Sequence, residues 1–311
     1  MLRQALLSLS ENRFLNERVL TSSAARRAAS RFVAGDTLER AVPVVRRLNA
    51  EGMTASLDLL GEKTSDQKSA RLAGDQYVTI LRTIAREHLD CNVSLKLTQL
   101  GLDVDPGLCE ASLRALLDVA REVTNFIHID MESSAYVNGT LALYRRLRAD
   151  GVDHVGVVLQ SYLYRTESDL ETLLPLRPRI RLVKGAYAEP PAVAYPQKSD
   201  VDAKFRALTE RLLPSAPGAA IATHDPRLIE HTKAFARSRD IPPDAFEFQM
   251  LYGIRRDLQR QIRDEGYRLR VYVPFGTQWF PYFMRRLAER PANVKFVLRS
   301  VLSEWRGRRE G

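Results

Sequence analysis

Short runs rich in aliphatic and β-branched residues recur along the chain: ASLDLL (55–60), NVSLKL (92–97), FIHIDM (126–131), VGVVLQ (155–160), IRLVKG (180–185), AAIATH (219–224), FEFQML (246–251) and LRVYVP (269–274). Between them lie stretches of helical periodicity at 69–89, 107–123, 140–150, 168–174, 203–213, 226–239 and 254–266, many opening near Asp, Ser or Pro. Strict alternation of strand and helix points to parallel strands joined by crossover helices, and eight such units predict an α/β chain closed into a (β/α)8 TIM barrel. A doubly wound sheet is the alternative, weakened because GxGxxG is absent and GVDHVG at 151–156 lacks the Lys-Ser/Thr of a phosphate loop. Residues 1–48 read as extra N-terminal helices packed on the barrel, with Pro43 near their end, and residues 49–311 as the barrel.

At 311 residues, 45% hydrophobic, the chain can bury a large core. No apolar run approaches the roughly 20 residues that span a bilayer. The start, MLRQALLSLSENRFL, is broken by polar residues before a signal core forms. A cytoplasmic protein is expected, with peripheral contact at the inner face of the membrane. Cys91 and Cys109 are too few and too plainly spaced for a metal site or a disulfide framework. The 47 Lys and Arg against 38 Asp and Glu give a formal charge of +9, which suits an anionic partner such as lipid, nucleic acid or a phosphorylated cofactor. The arginines are scattered, without an aromatic-interleaved stripe or a zinc-finger pattern, so no nucleic-acid partner is expected.

In (β/α)8 barrels reacting groups sit at the C-terminal ends of the strands. Read in that frame, the chain offers Glu62, Lys96, Asp130, Gln160, Lys184 with Tyr187, Thr223 with His224, Gln249 and Tyr272, at least one polar group per strand. Ionisable groups in a dry barrel mouth are costly unless paired, so a purely structural barrel has no reason to collect them. After the last strand, YFMRRLAE puts Tyr282 one helical turn before Arg285 and Arg286, and Glu289 one turn after them. Adjacent guanidiniums repel unless an anion sits between them, and their planar forks fit a carboxylate or phosphate bidentately. Plainer readings exist: a surface pair of Arg285 with Glu289, a buried salt bridge of Lys96 with Asp130, a His224 that only donates to backbone, and satisfied core amides at Gln160 and Gln249. Two other functions fit the same residues. One is an aldolase forming a Schiff base through Lys96 or Lys184, with the arginines on a phosphate; the other is a basic, non-enzymatic scaffold for membrane or RNA.

The strings SLKLTQLG (94–101), IDME (129–132), RLVKGAY (181–187), IATHDP (221–226), FEFQMLYG (246–253) and YFMRRLAE (282–289) resemble proline dehydrogenases across most of the chain, one motif per strand end. The resemblance implies a distorted (β/α)8 barrel with extra N-terminal helices, holding non-covalent FAD and oxidising L-proline to 1-pyrroline-5-carboxylate, in the form without a second, aldehyde dehydrogenase domain. It implies that Arg285, Arg286 and Lys96 hold the proline carboxylate, that Leu182, Tyr272 and Tyr282 wall the ring, and that Asp130 lies near Lys96. Met131, Gln160, Arg181, Val183, Lys184, Gly185, Ala186, Tyr187, Thr223, His224, Asp225 and Glu247 match flavin-binding positions, with Arg181 at the reactive ring nitrogen and Gly185 allowing close backbone approach. Lys96, Asp130, Arg181 and Tyr272 form the implied catalytic group. Ala188 and Asp225 depart from the pattern of the bifunctional relatives, on the adenosine side. A quinone would reoxidise the flavin, and the positive charge would draw the protein to anionic lipid. Glu62, in LLGEKTSD, is expected to act as a gate, pairing with one arginine and releasing it when the substrate carboxylate arrives.

Overall fold

The computed structural model of the chain describes residues 27, 29–61 and 63–289, the last two as backbone. Its strands are β1 (Thr54–Leu59), β2 (Cys91–Leu95), β3 (Ile127–Ile129), β4 (Val155–Gln160), β5 (Arg179–Val183), β6 (Ala219–Ala222), β7 (Phe246–Leu251) and β8 (Arg268–Phe275). All pair in parallel and in sequence order, and β1 closes on β8 with Ser56 opposite Tyr272. The fold is the expected (β/α)8 barrel, not a doubly wound sheet. Helices Gln67–Arg86, Pro106–Glu122, Val137–Ala149, Thr166–Leu173, Lys198–Leu212, Pro226–Ser238 and Arg256–Asp264 follow β1 to β7 in turn, and Trp279–Glu289 follows β8. Several begin on caps legible in the sequence. Asp66 accepts from the Ser69 N–H, and Asp105 and Asp225 cap helices that open on Pro106 and Pro226.

Most boundaries shift by a few residues from expectation, and two of the shifts have local reasons. β3 is three residues long because Asp130, after its N–H bonds Leu95 O at 2.8 Å, leaves the ladder at the barrel mouth. The helix expected from 203 begins at Lys198, since its first turn, KSDVD, has Val201 as its lone apolar residue and carries no apolar period.

Side chains on a strand alternate between faces. Outward positions such as Leu57, Val93, Ile129, Val157, Ile180, Leu182, Ile221 and Val271 join the helices in one apolar core. The inward face is unusual, because barrel interiors are commonly filled by Val, Ile and Leu. Here it carries buried Ser56, Asp58, Asn92, Ser94, His128, Arg181, Glu247, Gln249 and Arg270. Several of these groups pair with one another: Ser56 Oγ lies 2.9 Å from Ser94 Oγ, and Arg270 donates to Glu247 at 2.8 Å and to the Ala55 carbonyl at 2.8 Å. A polar axis of this kind stays folded only while its charges are paired.

Two described stretches ahead of β1 pack on the barrel, and the rest of the expected N-terminal helices lie outside the described residues. Helix Leu38–Ala50, which contains Pro43, buries Ala41, Val42, Val45 and Leu48. The segment before it runs beside the end of β8, where Ala34 N–H donates to Pro274 O at 2.8 Å and Gly276 N–H to Gly35 O at 2.9 Å.

Candidate active site

At the C-terminal ends of the strands lies a cavity of about 630 Å³, within the usual range for small-molecule sites. Asp130 is its hub. One oxygen accepts from Arg181 at 2.6 Å, and the other accepts from the Tyr272 hydroxyl at 2.6 Å. Arg181 spans inward to Ser94 Oγ at 2.9 Å, and its guanidinium lies 5.3 Å from the Tyr272 ring centroid. Burial, then the Asp130 and Asp58 charges, push the Tyr272 phenol well above its ordinary range, so it stays a hydrogen-bond donor.

Lys96 is not simply the partner of Asp130. Its ammonium lies 3.2 Å from Asp58 and 4.0 Å from Asp130. Burial alone would lower its pKa, but the Asp58 and then the Asp130 carboxylates hold it above the ordinary lysine range. A Schiff-base lysine needs the opposite, a depressed pKa and a free amine. Lys184, the other aldolase candidate, is held by Asp202 at 2.5 Å and Asp225 at 3.1 Å. The Schiff-base reading has little left to rest on.

The helix Trp279–Glu289 supplies the opposite wall. Trp279, Phe280, Phe283, Met284 and Leu287 recur at helical spacing and pack with Ala29, Phe32, Val33, Leu60 and Ile254 in a second apolar cluster. With that side anchored, Tyr282, Arg285 and Arg286 line the cavity, the Arg286 guanidinium 5.0 Å from the Tyr282 ring centroid. Arg285 is close enough for its charge to act on Lys96. Three cations thus line one cavity together with two tyrosines. The Glu289 side chain and the whole of Glu62, the expected gate, lie outside the described residues.

The remaining wall is formed by β3 to β7. Met131, Gln160, Val183, Lys184, Gly185, Ala186, Tyr187, Thr223, His224, Asp225 and Gln249 all border the cavity. Gly185 has φ +121°, and a Cβ there would come within 2.4 Å of Tyr162. His224 Nε2 accepts the Leu251 N–H at 2.9 Å, and Thr223 Oγ1 accepts the Asp225 N–H at 3.1 Å. Asp225 feels burial, which raises its pKa, but Lys184 holds it below the ordinary range. Three buried polar atoms of the lining, Gln160 Oε1, Gln249 Oε1 and Arg181 Nε, have no hydrogen-bond partner among the described residues. Such atoms suit a ligand carrying donors and acceptors on its edge.

Two expected site residues do not reach this cavity. Leu182 sits between the inward Arg181 and Val183 and faces the helices, where it is 1% exposed. Glu247 points inward but one layer below Gln249, locked to Arg270 at 2.8 Å and to Gln249 Nε2 at 2.6 Å. Burial raises its pKa, yet Arg270 holds it below the ordinary carboxylate range. Among the lining residues that the sequence did not mark, Asp58 carries the most charge chemistry. Asp58, 1% exposed, is nearest to Lys96, and its signal was the alternation of Ser56 and Asp58 with Ala55, Leu57 and Leu59 on β1.

Comparison with known proteins agrees across the chain. The family model for proline dehydrogenase matches residues 41–299. Proline dehydrogenase 1 of Bacillus subtilis subsp. natto is 45% identical over 304 residues, covering 98% of this chain and 100% of the relative. Proline dehydrogenase of Deinococcus radiodurans is 44% identical over 280 residues, 88% of this chain and 90% of its own. Proline utilization A from Bdellovibrio bacteriovorus, solved after inactivation by N-propargylglycine, superposes with a TM-score of 0.80 at 26% identity, over 85% of this chain and 32% of that protein.

Proposed function

Because the chain belongs to the proline dehydrogenase family, we propose that it oxidises L-proline to 1-pyrroline-5-carboxylate on non-covalently bound FAD, within the barrel whose strands run from Thr54 to Phe275. The observation that carries this reading is that Lys96, Arg285 and Arg286 line one cavity with Tyr272 and Tyr282, Arg285 near enough for its charge to act on Lys96. The lining suits a flavin. Gln160 Oε1, Gln249 Oε1 and Arg181 Nε would meet the polar edge of its ring, Gly185 would let the backbone lie close against it, and Met131, Val183, Ala186, Tyr187, Thr223, His224 and the Lys184–Asp225 pair would flank the rest. When bound, FAD supplies the two-electron acceptor for the hydride from the ring carbon beside nitrogen.

The protein's own part is orientation. Arg285, Arg286 and Lys96 fix the substrate carboxylate, and the tyrosines align the flat ring. Asp130 holds Arg181 and Tyr272 in register through its two 2.6 Å bonds, so neither has to reorganise during the reaction. A quinone at an anionic membrane surface is the acceptor this reading names, supported by the net charge of +9. Among the described residues no helix is long and apolar enough to cross a membrane. The test is to release the bound chromophore by heat, identify it by chromatography, and measure proline-dependent reduction of a panel of quinones. Release of FAD and turnover with L-proline are expected; a protein that binds no flavin overturns the reading.

A further inference from the structure

The cavity holds two carboxylates that lean on different partners, although the Tyr272 hydroxyl bears on both. Asp130 is committed on both oxygens, to Arg181 and to Tyr272. Its distance of 4.0 Å to the Lys96 ammonium leaves it a secondary partner there. Asp58 makes the shorter contact at 3.2 Å, from a strand where it is opposite Ser94, two residues before Lys96. That register makes a rigid bracket, since Asp58 is fixed by the barrel wall and Lys96 must reach it from the next strand. A lysine with four rotatable bonds loses considerable freedom when held so, and the partner that holds it decides where its charge points.

We infer that Asp58 is a positioning residue for substrate binding, aiming the Lys96 ammonium at the end of the cavity where Arg285 and Arg286 receive the carboxylate. This rests on the proline dehydrogenase reading of the site and deepens it. Asp58 acts through Lys96 and need not touch the substrate. The charges also balance: Asp58 and Asp130 offset Lys96 and Arg181, so the substrate carboxylate meets the excess from the arginine helix.

The test uses purified, flavin-loaded protein and two ligands, L-proline and cyclopentanecarboxylate, which keeps ring and carboxylate but has no nitrogen to oxidise. Asp58→Asn is expected to raise the KM for proline and the Kd for cyclopentanecarboxylate by the same factor, about tenfold or more for a misdirected charged hydrogen bond. The rate of flavin reduction at saturating proline should change far less. Asp58→Glu, which keeps the charge, should recover part of the loss. In a Lys96→Met background the Asp58→Asn change should cost nothing further, because both act through one contact. Additive losses in the double variant overturn the inference, as does a fall in the saturated rate with unchanged cyclopentanecarboxylate affinity, which would make Asp58 a proton acceptor. Loss of melting temperature with KM unchanged would assign it a purely structural role and also overturn it. If wild-type protein neither binds cyclopentanecarboxylate nor is reduced by proline, the functional reading fails first, and that outcome is visible before any variant is made.

Discussion

Replacing Tyr272 by Phe removes one atom and leaves the ring that lies 5.3 Å from the Arg181 guanidinium. What is lost is the 2.6 Å hydrogen bond to Asp130, a donor to a charged acceptor in a buried site. Such a bond is worth about 1.5–3 kcal/mol, and at about 1.36 kcal/mol per decade that is roughly tenfold to 150-fold. Asp130 keeps its bond to Arg181, so the loss should fall on alignment of the ring and not on the fold. Anaerobic rapid mixing with L-proline, following flavin reduction across substrate concentrations, should show kcat/KM reduced within that range at unchanged flavin content. The melting temperature guards against a trivial cause, since each kcal/mol of stability shifts a chain of this size by about 2–4 °C. In a Tyr272→Phe, Asp130→Ala double variant the losses should be far less than additive. Full efficiency in a folded, flavin-loaded Tyr272→Phe protein would refute the alignment role.

Arg285→Met and Arg286→Met should each raise the KM for proline by about ten- to a hundredfold at normal flavin content, with Lys only a partial substitute; variants that bind proline normally but lose flavin would move the pair to a cofactor phosphate. Gly185→Ala should lower both melting temperature and flavin retention, because φ is +121° and the new Cβ would strike Tyr162 at 2.4 Å. His128 is buried, with burial first and then the Arg181, Arg270 and Arg179 charges driving its pKa well below 6.5. Its folded form therefore stays neutral while the unfolded chain takes up a proton, so stability falls as pH drops below 6.5, by up to about 1.4 kcal/mol per pH unit until the folded pKa is reached. His128→Gln should flatten that slope in melting curves between neutral and acid pH, and an unchanged slope would count against a neutral His128.

The barrel was legible because its outward face obeys ordinary rules: every strand carries apolar residues at alternate positions, and every crossover carries helical periodicity. The polar positions at the strand ends were legible too, and Lys96, Asp130, Arg181, Tyr272, Arg285 and Arg286 come together at one cavity. What sequence could not carry is register and depth. Leu182 was adjacent to Arg181 in the chain, but a period of two sends it to the other face. Glu247 has the right face and the wrong depth, since Arg270 on β8 captures it one layer down. Asp58 was overlooked in favour of Glu62 because nothing in the string ASLDLLGE says that β1 pairs with β2 so as to bring Asp58 beside Lys96. The arginine helix is held by Ala29, Phe32 and Val33, contacts more than two hundred residues away in sequence that no local pattern announces.

The proposed activity requires proline to deliver its electrons to a flavin in this cavity. The most direct measurement is the visible spectrum of the purified protein under anaerobic conditions, before and after L-proline is added. The account predicts a yellow protein with flavin absorption that bleaches on L-proline, does not bleach on cyclopentanecarboxylate, and loses its response when Arg285 and Arg286 are both replaced by Met. A colourless protein, or a flavin spectrum indifferent to L-proline, would contradict it.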